Sequence, residues 1–379
     1  MSTVTIELLD ENSIGRYYQL AALSIAYPRV SPALLSNLEK GLDRGALQLD
    51  QNEVYQLFGA IADYLDSRVC SIKTNYGPKL YTAGTIDRKI LSNAGIQVGK
   101  TLQCANIVNY LRQNVYQFLT HKVDIPMFLR TYVFSRYRDR EEVEKTSVAS
   151  LSLALAGIYI STIGNVRRGK ELFEIFVNPD GSIDTSRSAH RFYDLLNEPG
   201  SNIRIPRLIE NILDLEGVSL ELSVLFATAI YVYGVARHVR MLSNLSSYYN
   251  VFERFRLVCI SPGDRPLVLW ERPLTITHII QVFEKAKALD ILSYIERLAS
   301  YSPQISEKLK EYPEAISACI NDLHEYLETG SFDALVHCSG GVARLYDLLD
   351  DLCRRKNLNQ ACTILKTVRD FAGYLSRLI

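Results

Sequence analysis

The sequence has no excess of either charge. Lys plus Arg is 42 and Asp plus Glu is 42, so the formal net charge is zero. That excludes a generically basic protein that coats nucleic acid, while local basic patches remain possible. No low-complexity run or Pro/Ser-rich tail is present, so little disorder is expected. The stretch MSTVTIELLDENSIGRYYQL lacks a basic leader and a continuous apolar run, so no signal peptide is expected. Long hydrophobic runs are missing too. Residues 146–166 carry no charge over 21 residues, but Ser and Thr are scattered through them. Leu222–Ala236 spans only 15 residues. A spanning helix needs roughly 20 mainly apolar residues, so both segments read as buried core and no membrane partner is expected.

Motifs for chemistry are also missing. The cysteines at 70, 104, 259, 319, 338, 353 and 362 form no CxxC. Spread this way, they read as buried small hydrophobes of a reducing, cytoplasmic compartment. The nearest approach to a zinc set is His337–Cys338 with Cys353 and Cys362, and the last two fall on apolar helical positions, so no metal is expected. No H-E-x-x-H occurs, and neither GIYIS nor CSGGV fits the G-x-S-x-G nucleophile pattern. GIQVGKT (Gly95–Thr101) has three residues between its glycines where a phosphate loop has four, and no apolar strand precedes it. It reads better as a helix entry with Thr101 near the cap. The expectation is a protein with no catalytic activity and no cofactor.

What is present is a chain of 379 residues, 47% hydrophobic, enough for two domains. SPALLSNLEKGL pairs a capping Ser31 with Pro32 at the first helical position. Asp50 and Glu53 have capping-box spacing, and Val54, Leu57, Phe58, Ile61 and Leu65 follow at helical intervals. TLQCANIVNYLRQNVYQFLT reads as another helix. ASLSLALAGIYIS fits helix or strand. KELFEIFVNPDG reads as a strand ending in a turn, and RFRLVCISPGDRPLVLWERP as a hairpin. Between them, EGVSLELSVLFATAIYVYGVARHVRML fits a long buried helix. Everything from Leu274 reads as helix, with Gly330 and Gly340–Gly341 as helix ends. The expected fold is mainly α with a smaller β-hairpin/sheet portion (α+β) and a C-terminal helical bundle. The expected domains are 1–273, mostly helical to about 145 and β-containing over 146–273, and a bundle over 274–379.

Cations concentrate in a few places. Arg167, Arg168 and Lys170 crowd a short loop between two apolar runs, YISTIGNVRRGKELFEIFVNPDG. Arg237, Arg240, Arg254 and Arg256 share a stretch with Tyr248, Tyr249 and Phe252 and the single acid Glu253. Arg136, Arg138 and Arg140 alternate beside Tyr132 and Tyr137, ahead of three glutamates. Cations with interleaved aromatics suit phosphate contact and base stacking. Each group also fits a solvated surface, and Arg354, Arg355 and Lys356 fit a helix C-terminus, where cations complement the dipole.

The order of these segments resembles a known family. An Ala/Ser/Leu-rich segment runs into LAGIYIS, then a basic loop, then a strand ending FVNP. After a long buried helix comes YYNVFERFRLVCISPGDRPLVLWERPLTI, and the chain closes with helices. This resembles the large subunit of archaeal type I-A CRISPR–Cas interference complexes. The resemblance implies a non-catalytic subunit of an RNA-guided surveillance complex. Its partners would be the other complex subunits, guide RNA and target DNA. It would help recognise the flanking motif and hold opened DNA, by the logic of effectors in which base pairing reads sequence and protein reads shape. The alternative is a helical scaffold or adaptor that binds only protein.

Overall fold

The computed structural model describes residues 3–11, 13–71, 85–97, 102–129, 145–181, 183–198, 205–238, 249–262, 267–301, 309, 311–356 and 358–379. The fold is mainly α with small antiparallel sheets, and it ends in helices. Its contacts divide it into two units. One holds residues Met1–Gly200 and Asn250–Leu274, the other Ser201–Tyr249 and Thr275–Ile379.

The first unit is built around two helices that are apolar on every side. All residues of α1 (Ile14–Ala26) and of α6 (Val148–Ser161) are buried, as expected for helices at the centre of a core. Ser13 and Ser147 cap them, each accepting from a backbone N–H of its first turn. The helices cross closely at Gly157, where an added Cβ would lie 1.7 Å from the carbonyl oxygen of Tyr18. One buried amide joins them: Gln19 Nε2 donates to the Ser150 carbonyl at 3.0 Å and its hydroxyl at 2.8 Å, and Gln19 Oε1 accepts from Leu9 N–H.

Around this pair lie α2 (Pro32–Arg44), α3 (Gln51–Tyr64), α4 (Thr85–Asn93), α5 (Cys104–Asn109) and α7 (Ile183–Leu196). The predicted capping box on α3 forms both bonds: Glu53 N–H to Asp50 Oδ1 at 2.8 Å, Asp50 N–H to Glu53 Oε2 at 2.9 Å. Two small ribbons, β1 (Val4–Glu7) with β2 (Ala46–Leu49) and β3 (Lys122–Asp124) with β4 (Lys145–Ser147), interrupt the region read as mostly helical. Strands of three or four residues are too short to show a period of two.

The main sheet has four antiparallel strands in the order β5 (Thr162–Arg168), β6 (Glu171–Pro179), β7 (Phe255–Ser261), β8 (Leu267–Pro273). α1 packs on it, with the Tyr18 and Phe176 rings 5.2 Å apart. The β6 face carrying Phe176 also carries Glu174 and Asn178, both fully buried. The Tyr18 hydroxyl is buried with no hydrogen-bond partner among the described residues, and burial near Glu174 pushes its pKa well up. A lone buried hydroxyl costs about 1–3 kcal/mol of desolvation. Tyr18→Phe is therefore expected to stabilise the protein by about 1 kcal/mol. A lower melting temperature for Tyr18→Phe would show that the hydroxyl is satisfied.

The second unit is helical: α8 (Ile205–Leu213), α9 (Leu220–His238), α11 (Ile276–Lys285), α12 (Asp290–Tyr301), α13 (Glu311–Thr329), α14 (Phe332–Lys356) and α15 (Asn359–Leu375). The short α10 (Tyr249–Phe252) lies where the two units meet in sequence. α9 is long and apolar enough to cross a membrane by length and composition, and 83% of that window is buried against protein. The bundle read as 274–379 thus includes Ser201–Tyr249 as well. α9 is apolar around its circumference and joins the unit that can cover every face of it. Asp290 ties three of its helices together, accepting from Tyr233 Oη at 2.8 Å, Arg237 Nη1 at 3.2 Å and Tyr374 Oη at 2.9 Å.

Two local readings differ from the structure. Gly330 ends α13 with φ of 71°, but Gly340–Gly341 lie inside the continuous helix α14. Glycine in a helix costs about 1 kcal/mol against alanine without ending it, when packing on α13 and α15 holds both sides. The cysteines also differ. Six of them form Cys70–Cys104, Cys319–Cys338 and Cys353–Cys362, with Cα–Cα distances of 5.4, 4.2 and 4.9 Å. Only Cys259 is the buried free thiol that was expected for all seven, and burial pushes its pKa up to about 12.

Candidate nucleic-acid interface

The basic loop is the tip of the β5–β6 hairpin. Arg168 and Glu171 are the last facing pair, which leaves Gly169 and Lys170 as the two turn residues. Gly169 has φ of 62° and Lys170 does not have positive φ, the pattern of a type II′ turn. Glycine at the first turn position is thus a backbone requirement. A two-residue turn of this type continues the hairpin without splaying it, because its twist matches that of the strands.

Arg167, Arg168 and Lys170 are all exposed. Arg167 faces Leu172 and Arg168 faces Glu171 across the ladder, so the two arginines leave opposite faces of the ribbon with Lys170 at its end. No ion pair joins Arg168 to Glu171, and among the described residues no acid pairs with Arg167 or Lys170. Behind the tip the hairpin enters the core. Val166 and Phe173 face each other and are both buried, and Glu174 is fully buried one residue further on. The result is three solvated cations at the tip of a hairpin whose base is anchored in the core.

The other basic residues are not brought to this place. Asn178 pairs with Arg256 and Glu174 with Ile260, so Arg254 and Arg256 stand at the opposite end of the sheet. At about 3.4 Å per residue, the seven steps from Glu171 to Asn178 span roughly 24 Å. Arg256 is moreover occupied. Its Nη1 lies 2.8 Å from Glu271 Oε1, and the Glu271 side chain is only 6% exposed. Removing the cation strands a buried carboxylate, a strongly destabilising change. Arg256→Ala is expected to cost about 2 kcal/mol of stability, the partial exposure of Arg256 holding it below the fully buried range. Adding Glu271→Gln should recover most of that loss in denaturant titration. Failure of this recovery would mean that the pair is not what Arg256 contributes.

Arg237 belongs to the second unit, where it is paired with Asp290 in the network above. Arg254 is exposed beside the start of β7. Arg240, Arg136, Arg138 and Arg140 lie outside the described residues, as do Tyr132, Tyr137 and Tyr248. Of the aromatics taken as possible stacking partners, Phe252 is buried against Phe192, with rings 5.0 Å apart. Tyr249 is buried and donates to Glu284. Packing has used both. Arg354 is exposed and paired with Asp350 at 2.8 Å.

One feature of this sheet was missed from the sequence. β8 is an edge strand: apart from the covered Glu271 side chain its residues are half-buried or exposed, and Leu267 and Leu269 are 52% and 42% exposed. The signal was available in principle: β8 is the last strand and only helices follow it, so a run such as LVLW on it has no later strand to cover it.

The cleft between α13 and α14 measures about 420 Å³. Its lining mixes Glu311, Glu314 and Asp322 with His337 and Arg344, and His337 Nδ1 lies 2.8 Å from Asp322 Oδ2. That balance of signs selects no charged ligand. Among the described residues no group of His, Cys, Asp and Glu could hold a metal ion. Compared with known proteins, the chain matches no family model, no curated protein and no solved structure.

Proposed function

We propose that the chain is a non-catalytic, nucleic-acid-binding subunit of a CRISPR RNA-guided surveillance complex, resembling the large subunit of archaeal type I-A systems. In this reading it contacts target DNA beside the guide and steadies the opened strands. The observation that carries the reading is the β5–β6 tip, where three cations share four positions, all exposed, none held by an acid among the described residues. A cationic tip on a narrow two-stranded ribbon fits phosphate contact. Zero net charge accommodates it: Glu171 adjoins the tip but forms an ion pair with none of the three cations, and other subunits would cover part of the remaining surface. The three disulfides remove the ground on which the cysteines pointed to a reducing compartment; a cytoplasmic chain that carries them matches the disulfide-rich intracellular proteins of hyperthermophilic archaea.

The test is the variant Arg167→Ala/Arg168→Ala/Lys170→Ala, assayed for target-DNA binding by the assembled complex at two salt concentrations. Unchanged affinity and unchanged salt dependence would remove the tip from the interface. A second reading, an adaptor that binds only protein, is favoured by the exposed apolar edge at Leu267 and Leu269. Pull-down with and without nuclease separates the two. An adaptor keeps its partners after the nucleic acid is digested.

A further inference from the structure

The three disulfides each join neighbouring helical segments, but they differ in access. Cys319 and Cys338, joining α13 to α14, are each 1% exposed although they border the cleft between those helices. Cys70, at the end of the helical turn that continues α3, and Cys104, at the start of α5, are half-buried. Cys362 is exposed, and its partner Cys353 is half-buried. Position adds to exposure. Cys362 lies in the first turn of α15, its N–H on the Leu358 carbonyl at 3.2 Å, at the start of the helix rather than within the packed interior.

Exposed disulfides are the labile ones, because exchange needs a thiolate in line with a reachable sulfur. We propose that Cys353–Cys362 is a thiol–disulfide exchange site for small-molecule thiols of glutathione size, and the latch that holds the start of α15 to the end of α14. The thiolate of one small molecule attacks Cys362 Sγ. The Cys353–Cys362 bond breaks, a mixed disulfide forms on Cys362, and Cys353 leaves as a thiolate that takes a proton. A second thiolate then attacks the small-molecule sulfur of the mixed disulfide. It forms the symmetric small-molecule disulfide and releases Cys362 as a thiolate at the helix N-terminus. Two thiols are oxidised and one protein disulfide is reduced, and the sequence runs backwards with the oxidised small molecule.

The far end of α15 does not depend on this bond. Phe371 and Leu375 are buried, Tyr374 donates to Asp290 and Arg377 donates to the Lys287 carbonyl. Opening the latch should therefore loosen α15 from its N-terminal end only.

The experiment uses the full chain purified without reductant and exposed to buffers of reduced and oxidised glutathione. Newly freed thiols are alkylated and located by peptide mass spectrometry. Cys353 and Cys362 are expected to label at least about tenfold faster than Cys319 and Cys338, with glutathione trapped on Cys362 at intermediate ratios. Hydrogen exchange should rise over 359–364 and not over 371–377. In Cys353→Ser, the freed Cys362 should take up glutathione from its oxidised form, whereas in Cys319→Ser the freed Cys338 should stay unreactive until unfolding. Labelling of Cys353 and Cys362 without any reductant would overturn the proposal, as would opening no faster than that of Cys319–Cys338.

Discussion

Gly157→Ala is expected to destabilise the first unit by about 3 kcal/mol, at the top of the range for overpacking a close contact. An added Cβ would meet the Tyr18 carbonyl oxygen at 1.7 Å and its carbon at 2.4 Å, and both are backbone atoms. No rotamer change relieves that clash. α1 and α6 would have to separate, and each is buried along its whole length, so the separation opens gaps on all sides. For a unit of this size the shift corresponds to roughly 10 °C in melting temperature. The same substitution serves as its own control elsewhere. Gly59 inside α3 and Gly373 inside α15 have nothing within 4 Å of an added Cβ. Gly59→Ala and Gly373→Ala are expected to stabilise by about 0.5–1 kcal/mol through helix propensity. A Gly157→Ala melting point within about 2 °C of the parent would mean that the two helices are not in contact there.

The triple variant at the hairpin tip should have its largest effect on salt dependence. If each of Arg167, Arg168 and Lys170 neutralises one phosphate, the log–log slope of binding against salt becomes shallower by about 2.7 on duplex DNA. Between 50 and 200 mM salt that is a difference of roughly forty-fold in how far affinity falls. Folding should be unaffected, because all three side chains are exposed and Gly169, which sets the turn, is retained. Gly169→Ala separates shape from charge. It keeps the cations but strains a residue at φ of 62°, so it should weaken binding without a matching change in slope. Loss of affinity with the parent slope in the triple variant would assign the tip to protein contact.

Much of the fold was legible because it is locally encoded. Ser31 before Pro32, and Asp50 three residues before Glu53, specify helix starts by hydrogen bonds within one turn, and both form. RRGK between two apolar runs marked a short loop, but the sequence left open whether helix or strand entered it; the structure makes it a two-residue hairpin turn in which Gly169 supplies the positive φ. ASLSLALAGIYIS was ambiguous for a related reason. A helix buried on every side has no periodic face, and only the company of α1 settled it as α6.

The candidate site divides the same way. Crowding of cations at 167–170 is a property of the sequence, as are the zero net charge and the seven cysteines. Whether a cation is available is a property of the tertiary structure, because it depends on which acid lies within a few ångströms. That distance separated Arg256, committed to buried Glu271, from Arg167, which is solvated, although the two look alike in sequence. The same reason explains the cysteines. Cys70 and Cys104 are 34 residues apart, and packing of α5 against the end of α3, not spacing, brings them together. Local order was written in neighbouring residues. Pairings across the chain were decided by which buried faces had to cover one another.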